Sequence, residues 1–365
     1  MTQVDRDGFL AVRNTFPLDH SHGRQPLSRA LAARPETLGL LARDPRLRVM
    51  DPSSAVFLDT ETTGLGTAAG TLVFLVGVGR FMDDAFEVTQ YFLPGPGMEP
   101  LFLAAVRAGL GDEAFLVSYN GKCFDAPLLE ARFTLQRQRV ALSRRPHLDL
   151  LYAARNLYRA RVPDCRLSTI ERVILGVERG EEDVPGALIP GIYFDFLHTG
   201  AVEQLGRVFY HNLLDVLSLA GLSGSASAAV EGRPECTHPS DHMGAARMLE
   251  ASGCLREAEA AYRRALMVAT GRRRAELMQR LGFLLKRMGE HERAAEAWRA
   301  LIEAGADPEA IAAVELAKYL EHRVHDYSAA VEVVKGALSQ PGARQPGRRE
   351  ALDHRLRRVM RKAAN

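Results

Sequence analysis

The chain has 365 residues, of which 47% are hydrophobic and 25% charged, with a formal net charge of +2. This is the composition of an ordinary soluble globular protein with room for two domains. Four cysteines contain no C-x-x-C pair, which argues against a zinc ribbon or a redox dithiol. The N-terminus lacks a basic-then-apolar signal, and no apolar run approaches the roughly 20 residues that span a bilayer. The expectation is a cytoplasmic protein with reduced thiols and no membrane association.

In chain order, Ala55 to Asp59 reads as a short apolar strand. It runs into Asp59-Thr60-Glu61-Thr62-Thr63-Gly64, where two carboxylates stand two residues apart. Positions i and i+2 of a strand share a face, so Asp59 and Glu61 should project together. Two like charges that close are unfavourable unless a cation lies between them, and Mg²⁺ or Mn²⁺ prefers carboxylate oxygens. A solvated strand end gives the same pattern.

Thr71 to Phe81 and Phe86 to Leu93 are β-rich runs around Met82-Asp83-Asp84 and predict a hairpin. Glu99 to Ala108 has helical spacing, and Ala114 to Ser118 is strand-like. Tyr119-Asn120-Gly121-Lys122-Cys123-Phe124-Asp125 then leads into a predicted helix, Asp125 to Phe133. Asp125 thus lies near a helix N-terminus, where an acid is favoured, so a cap and a ligand are both open readings. His147 to Leu151 reads as a short strand, with Asp149 either near a site or capping a helix.

Gln204 to Leu222 has the apolar spacing of an amphipathic helix. On it, His211 and Asp215 are i,i+4 and share a face, whereas Tyr210 lies about 140° from Asp215 at about 100° per residue. Alone, the pair is also what a surface contact looks like. Strands first and β/α alternation afterwards predict a mixed sheet covered by helices.

Gly221 to His238 is rich in Ser, Ala, Gly and Pro and reads as a linker. Cys236, His238 and His242 lie close together there, without a fourth ligand for zinc. Beyond it the chain repeats every 36 residues: Gly253, Gly289 and His325; Ala258, Ala294 and Ala330; Tyr262, Trp298 and Val334. Each unit predicts a pair of helices in which small residues permit close approach. The final stretch is basic, with Arg344, Arg348, Arg349, Arg355, Arg357, Arg358, Arg361 and Lys362, and Arg272 to Arg274 form another cluster. Such clusters either touch nucleic-acid phosphates or form solvated faces.

Taken together, D-x-E, N-x-x-x-F-D and H-x-x-x-D occur in an order that resembles the three blocks of the DEDD exonucleases, of ribonuclease H-like fold. In detail the chain looks most like the YprB-like branch. It carries Leu18-Asp19-His20-Ser21-His22-Gly23, then Val184-Pro185-Gly186 with Ile189-Pro190 and Tyr193-Phe194-Asp195. The appended units resemble tetratricopeptide repeats, lengthened, with a degenerate third copy that has His325 and Val334 at the turn and aromatic positions. One departure concerns the base. His-type enzymes of this kind usually place four residues between His and Asp, and Tyr-type enzymes three between Tyr and Asp. Here His stands at the three-residue spacing, so His211 is preferred over Tyr210 on the angular argument above.

The resemblance implies hydrolysis of phosphodiester bonds from a 3′ end of DNA or RNA with two ions, Mg²⁺ or Mn²⁺. Asp59 would bridge both ions, Glu61 and Asp215 would hold the one that carries the attacking water, and Asp125 the other. His211 would take the proton, as an imidazole can near neutrality. Thr62, Gly64, Asn120, Lys122 and Phe124 would line the terminal nucleotide. The implied organisation is an α/β ribonuclease H-like domain followed by an all-α tetratricopeptide-like repeat domain. Its expected parts are an N-terminal extension at 1–50 packing on the nuclease domain, the nuclease domain at 51–223, a linker at 224–240, repeats at 241–342 and a basic helix or tail at 343–365. Two rival readings stand: a non-catalytic nucleic-acid-binding adaptor that recruits a protein partner through the repeats, and an endonuclease on the same fold.

Overall fold

The computed structural model describes residues 2–6, 9–64, 70–112, 115–340 and 345–364. Contacts divide the chain into two units, Met1–Glu235 and Cys236–Asn365. The first unit contains β1 (Thr2–Arg6), β2 (Phe9–Pro17), β3 (Ser21–His22), β4 (Gln25–Pro26), α1 (Pro35–Ala42), β5 (Ala55–Thr62), β6 (Val73–Phe81) and β7 (Ala85–Phe92). Next come α2 (Glu99–Leu110), β8 (Phe115–Ser118), α3 (Asp125–Leu135), β9 (His147–Asp149), α4 (Leu150–Leu157), α5 (Leu167–Ile170), α6 (Ile189–Thr199) and α7 (Leu205–Glu231).

The main sheet has seven strands in the order β1-β2-β7-β6-β5-β8-β9. From β1 to β5 the neighbours are antiparallel, while β5–β8 and β8–β9 are parallel. β5 therefore sits where the sheet changes direction, the kind of place where the carboxyl ends of strands open a crevice. Its entry is apolar and buried at Ala55, Val56, Phe57 and Leu58. Such a strand, covered on both faces, stays rigid and delivers the acids that follow to the sheet edge.

α7 lies across this sheet because β6 makes room for it. A Cβ on Gly77 would stand 2.4 Å from Asn212 Oδ1, and one on Gly79 would stand 2.7 Å from Val216 Cγ1. These alternate glycines share a face, and their bare backbone lets the helix approach closely.

The sequence expectations need two corrections. The segment before residue 51 is not merely packed on the domain, since β2 pairs along the length of β7 and extends the main sheet. The expected linker at 224–240 is largely helix: α7 continues to Glu231, with Ser223 to Val230 buried. Its small residues allow close packing, because a Cβ on Gly224 would stand 2.9 Å from Ala30 N. Ala114, at the start of the predicted strand, lies outside the described residues, and β8 is described from Phe115.

The second unit is all-helical: α8 (Pro239–Ala251), α9 (Leu255–Val268), α10 (Gly271–Arg287), α11 (His291–Glu303), α12 (Ile311–Tyr319), α13 (Tyr327–Ser339) and α14 (Pro346–Ala363). The 36-residue recurrence has a physical basis here. Gly253, Gly289 and His325 all take positive φ, at 80°, 82° and 61°, in the turn before α9, α11 and α13. Ala258, Ala294 and Ala330 are buried, as are Tyr262, Trp298 and Val334 one helical turn on. Part of the basic C-terminus is paired: Arg355, Arg358 and Lys362 converge on the buried Glu321 at 3.4, 2.5 and 3.0 Å.

Candidate metal centre

The end of β5 carries Asp59 and Glu61, and the register slips immediately after Glu61. One strand away, parallel β8 ends in the turn 119–124, which leads to Asp125 in the first turn of α3. α7 brings His211 and Asp215 from above. The result is a cluster in which ligand atoms of Glu61, His211 and Asp215 all lie within 4.8 Å of one another.

Asp59 stands beside this trio. Buried Asn212 donates to its Oδ2 at 2.8 Å, and the Asn212 carbonyl in turn accepts from Gln90 Nε2 at 2.9 Å. Gln90 also donates to the Phe209 carbonyl at 2.7 Å, so the amide orientation is fixed from behind. Asp125 accepts from Thr60 Oγ1 at 2.5 Å. Thr60 alternates with Asp59 and Glu61 along the strand, and Asp125, bound to it, is not one of the trio.

Burial and mutual repulsion raise all four carboxyls. Asp59 and Glu61 are pushed well above the ordinary carboxylate range, by loss of solvent first and by the neighbouring acids second. Asp125 is pushed up to about 6 by burial, against the Thr60 hydrogen bond. Asp215 is also raised by burial, with Arg179 and His211 opposing. A group of oxygen donors and one imidazole whose charges repel fits a hard divalent cation, which would relieve that repulsion.

His211 Nδ1 lies 2.8 Å from Asp183 Oδ1, and its Nε2 lies 3.5 Å from Asp215 Oδ2. Nδ1 also lies 3.1 Å from Arg179 Nη1, which can only donate, so it meets both an acceptor and a donor; the tautomer that donates from Nδ1 to Asp183 leaves the lone pair on Nε2, toward Asp215. Tyr210 makes no hydrogen bond to these groups among the described residues.

Sequence reasoning missed Arg179. Its guanidinium grips buried Glu171 at 2.6 and 2.9 Å, pairs with Asp215, and lies 3.4 Å from Asp183. Glu171 also accepts from Ser218 at 2.5 Å, and Ser218 meets His22 Nε2 at 2.7 Å. The early His22 therefore folds back behind the site, where burial lowers its pKa to about 4. Only the i,i+4 pair with Asp183 is local; Glu171 and Asp215 stand 8 and 36 residues from Arg179, so no local pattern marks its place in the site. The Gly77/Gly79 pair did carry a signal: glycines inside an apolar strand mark a close backbone approach.

The remaining expected residues lie on the two segments that carry Glu61 and Asp125. Thr62 Oγ1 donates to the Gly64 carbonyl at 2.7 Å, and among the described residues nothing lies within 4 Å of a Cβ placed on Gly64. Asn120 takes a left-handed φ of 67°. Its backbone N–H and that of Lys122 donate to Asp149 at 2.8 and 3.2 Å. Asp149 also caps α4 through Leu151 N at 3.1 Å, so it is a structural brace for the turn. Phe124 is 46% exposed at the entrance to α3. Among the described residues, Cys236, His238 and His242 form no metal-binding group, and His238 caps α8 instead.

A family model for the RNase H superfamily matches residues 56–226. The chain is also 32% identical over 369 residues to the uncharacterized protein YprB of Bacillus subtilis (strain 168), covering 98% of this chain and 87% of that one. The chain belongs to the YprB-like family. In this YprB-like chain the RNase H-superfamily match spans every residue of the cluster, from Asp59 to Asp215.

Proposed function

We propose that this chain is a divalent-metal-dependent 3′–5′ exonuclease of the DEDD type that acts on DNA or RNA. The observation that carries the reading is the convergence of Glu61, His211 and Asp215 within 4.8 Å, beside Asp59, at the carboxyl end of β5. Residues that would hold the ions are Asp59, Glu61 and Asp215, with Asp125 on the second. Two bound Mg²⁺ or Mn²⁺ ions would supply water activation and stabilisation of the leaving 3′ oxygen.

The protein's own residues do the rest. Asn212 holds the Asp59 carboxylate in one orientation. His211 accepts the proton of the attacking water at Nε2 while Asp183 steadies the imidazolium through Nδ1. Phe124, Asn120, Lys122, Thr62 and Gly64 border the place of the terminal nucleotide.

The 36-residue helical pairs are read as tetratricopeptide-like repeats that offer a concave surface to a protein partner. This second unit also supports the adaptor reading, in which the first unit would bind nucleic acid without cutting it. Titration of Mn²⁺ by calorimetry separates the two. The exonuclease reading requires ion binding that Asp215→Asn removes, and ion-free behaviour of the wild type would favour the adaptor. A circular substrate left intact would separate the exonuclease from an endonuclease.

A further inference from the structure

A cleft of about 360 Å³ opens beside the 119–124 turn, lined by Arg155, Arg159, Pro163, Asp164, Cys165 and Arg166. Three arginines face one aspartate there. Asp164 accepts from the backbone of Arg166 at 3.0 Å, whereas Arg155 and Arg159 form no ion pair among the described residues. The cleft is tied directly to the candidate centre. Tyr119 Oη donates to the Cys165 carbonyl at 2.7 Å, and the turn that starts at Tyr119 ends at Asp125. The charge of Arg155 reaches both Tyr119 and Cys165.

Two exposed aromatics lie on the segments that join the centre and the arginines. Phe124 is 46% exposed and Tyr152 39%. Tyr152 Oη touches Cys123 Sγ at 3.4 Å, so the aromatic on α4 abuts the turn that carries Phe124. Tyr152 and Arg155 are i,i+3 on α4 and share a face, and exposed Arg159 follows just past the end of that helix. Along these segments the turn before Asp125 carries Phe124, and α4 carries Tyr152 and Arg155 ahead of Arg159.

We propose that this strip is the track for a single strand of nucleic acid leading into the centre, with bases on Phe124 and Tyr152 and phosphates on Arg155, Arg159 and Arg166. It rests on the exonuclease reading for its direction. Base faces stack on exposed aromatics, and guanidinium groups pair with phosphates, in a way that tolerates any sequence. A solvated basic surface would show no such order and no link to the centre. A second basic cleft supplies the control: Arg107, Arg139 and Arg144 line it together with Asp112, at the end of the sheet where β8 begins.

The test is fluorescence anisotropy of a labelled oligothymidylate of about a dozen nucleotides, without divalent ions, over a range of salt. Three full-length proteins are compared: wild type, Arg155→Ala/Arg159→Ala/Arg166→Ala, and Arg107→Ala/Arg139→Ala/Arg144→Ala. The first triple variant should bind about tenfold more weakly and lose about 2 from the salt slope, at roughly 0.7 per single-strand phosphate contact. The control variant should match the wild type. Equal losses in both variants, no loss in the first, or equally tight binding of a blunt duplex would overturn the track. If the first variant unfolds, Arg155→Glu alone must weaken binding. Hydrolysis of bis(p-nitrophenyl) phosphate with Mn²⁺ distinguishes the two claims. Absence of hydrolysis in the wild type counts against the nuclease reading, while the anisotropy decides the track.

Discussion

His211 is held from two sides, by Asp183 at Nδ1 and by the approach of Nε2 to Asp215. A base so oriented lowers the barrier by roughly 10²–10⁴-fold, so His211→Ala should cut kcat by about that factor while KM for an oligonucleotide stays close to the wild-type value. Tyr210→Phe should retain near-wild-type kcat, and a larger loss there than in His211→Ala would reverse the assignment. A second expectation follows from Asp125, whose pKa lies near 6 when folded. A carboxyl with a raised folded-state pKa holds its proton more tightly when folded. The ion-free protein should therefore lose stability as pH rises from about 4 to about 6, and Asp125→Asn should flatten that dependence. Urea midpoints in a chelating buffer measure it; a midpoint that rises with pH in the wild type and is unchanged in the variant would contradict it. At this scale the spacing and the order of the blocks singled out the carboxylates and His211, and the fold brings Glu61, His211 and Asp215 together. Asp183, Arg179 and Glu171 were not singled out, since only the folded chain brings them to α7.

α7 is the element on which the arrangement depends, because it supplies Asn212, His211 and Asp215 together. Its seat on β6 requires Gly77 and Gly79. Gly77→Ala would press a methyl group against Asn212 Oδ1, so it should destabilise the protein by about 1–3 kcal/mol. It should also weaken Mn²⁺ binding, because Asn212 holds Asp59. Unchanged denaturation midpoint and ion affinity would show that the helix does not need this seat. The apolar half of α7 was readable from its 3.6-residue spacing, but its continuation was not. Ser223, Gly224, Ser225 and Ala226 have a linker's composition, and only the facing backbone at Arg29–Ala30 makes small residues the ones that fit. β2 was missed for a related reason: its alternation is weak, and its pairing partner β7 lies some 70 residues further on.

Across the whole molecule, two units carry two kinds of regularity. The first is a mixed sheet whose direction changes at β5, and the order of the acidic blocks along the chain foretells which strand and helix ends meet there. The second is a 36-residue recurrence whose left-handed turns and buried alanines follow from small residues at fixed spacing. The central claim is that the first unit cleaves nucleic acid from a 3′ end with divalent ions. The most direct measurement is digestion of a 5′-labelled single-stranded oligonucleotide with Mn²⁺, comparing wild type with Asp59→Asn and Asp215→Asn proteins shown to fold. A ladder that shortens one nucleotide at a time, abolished by chelator and by either substitution, is the result expected. Undiminished cleavage in either variant, or an intact substrate with the wild type in Mg²⁺ and in Mn²⁺, would contradict it.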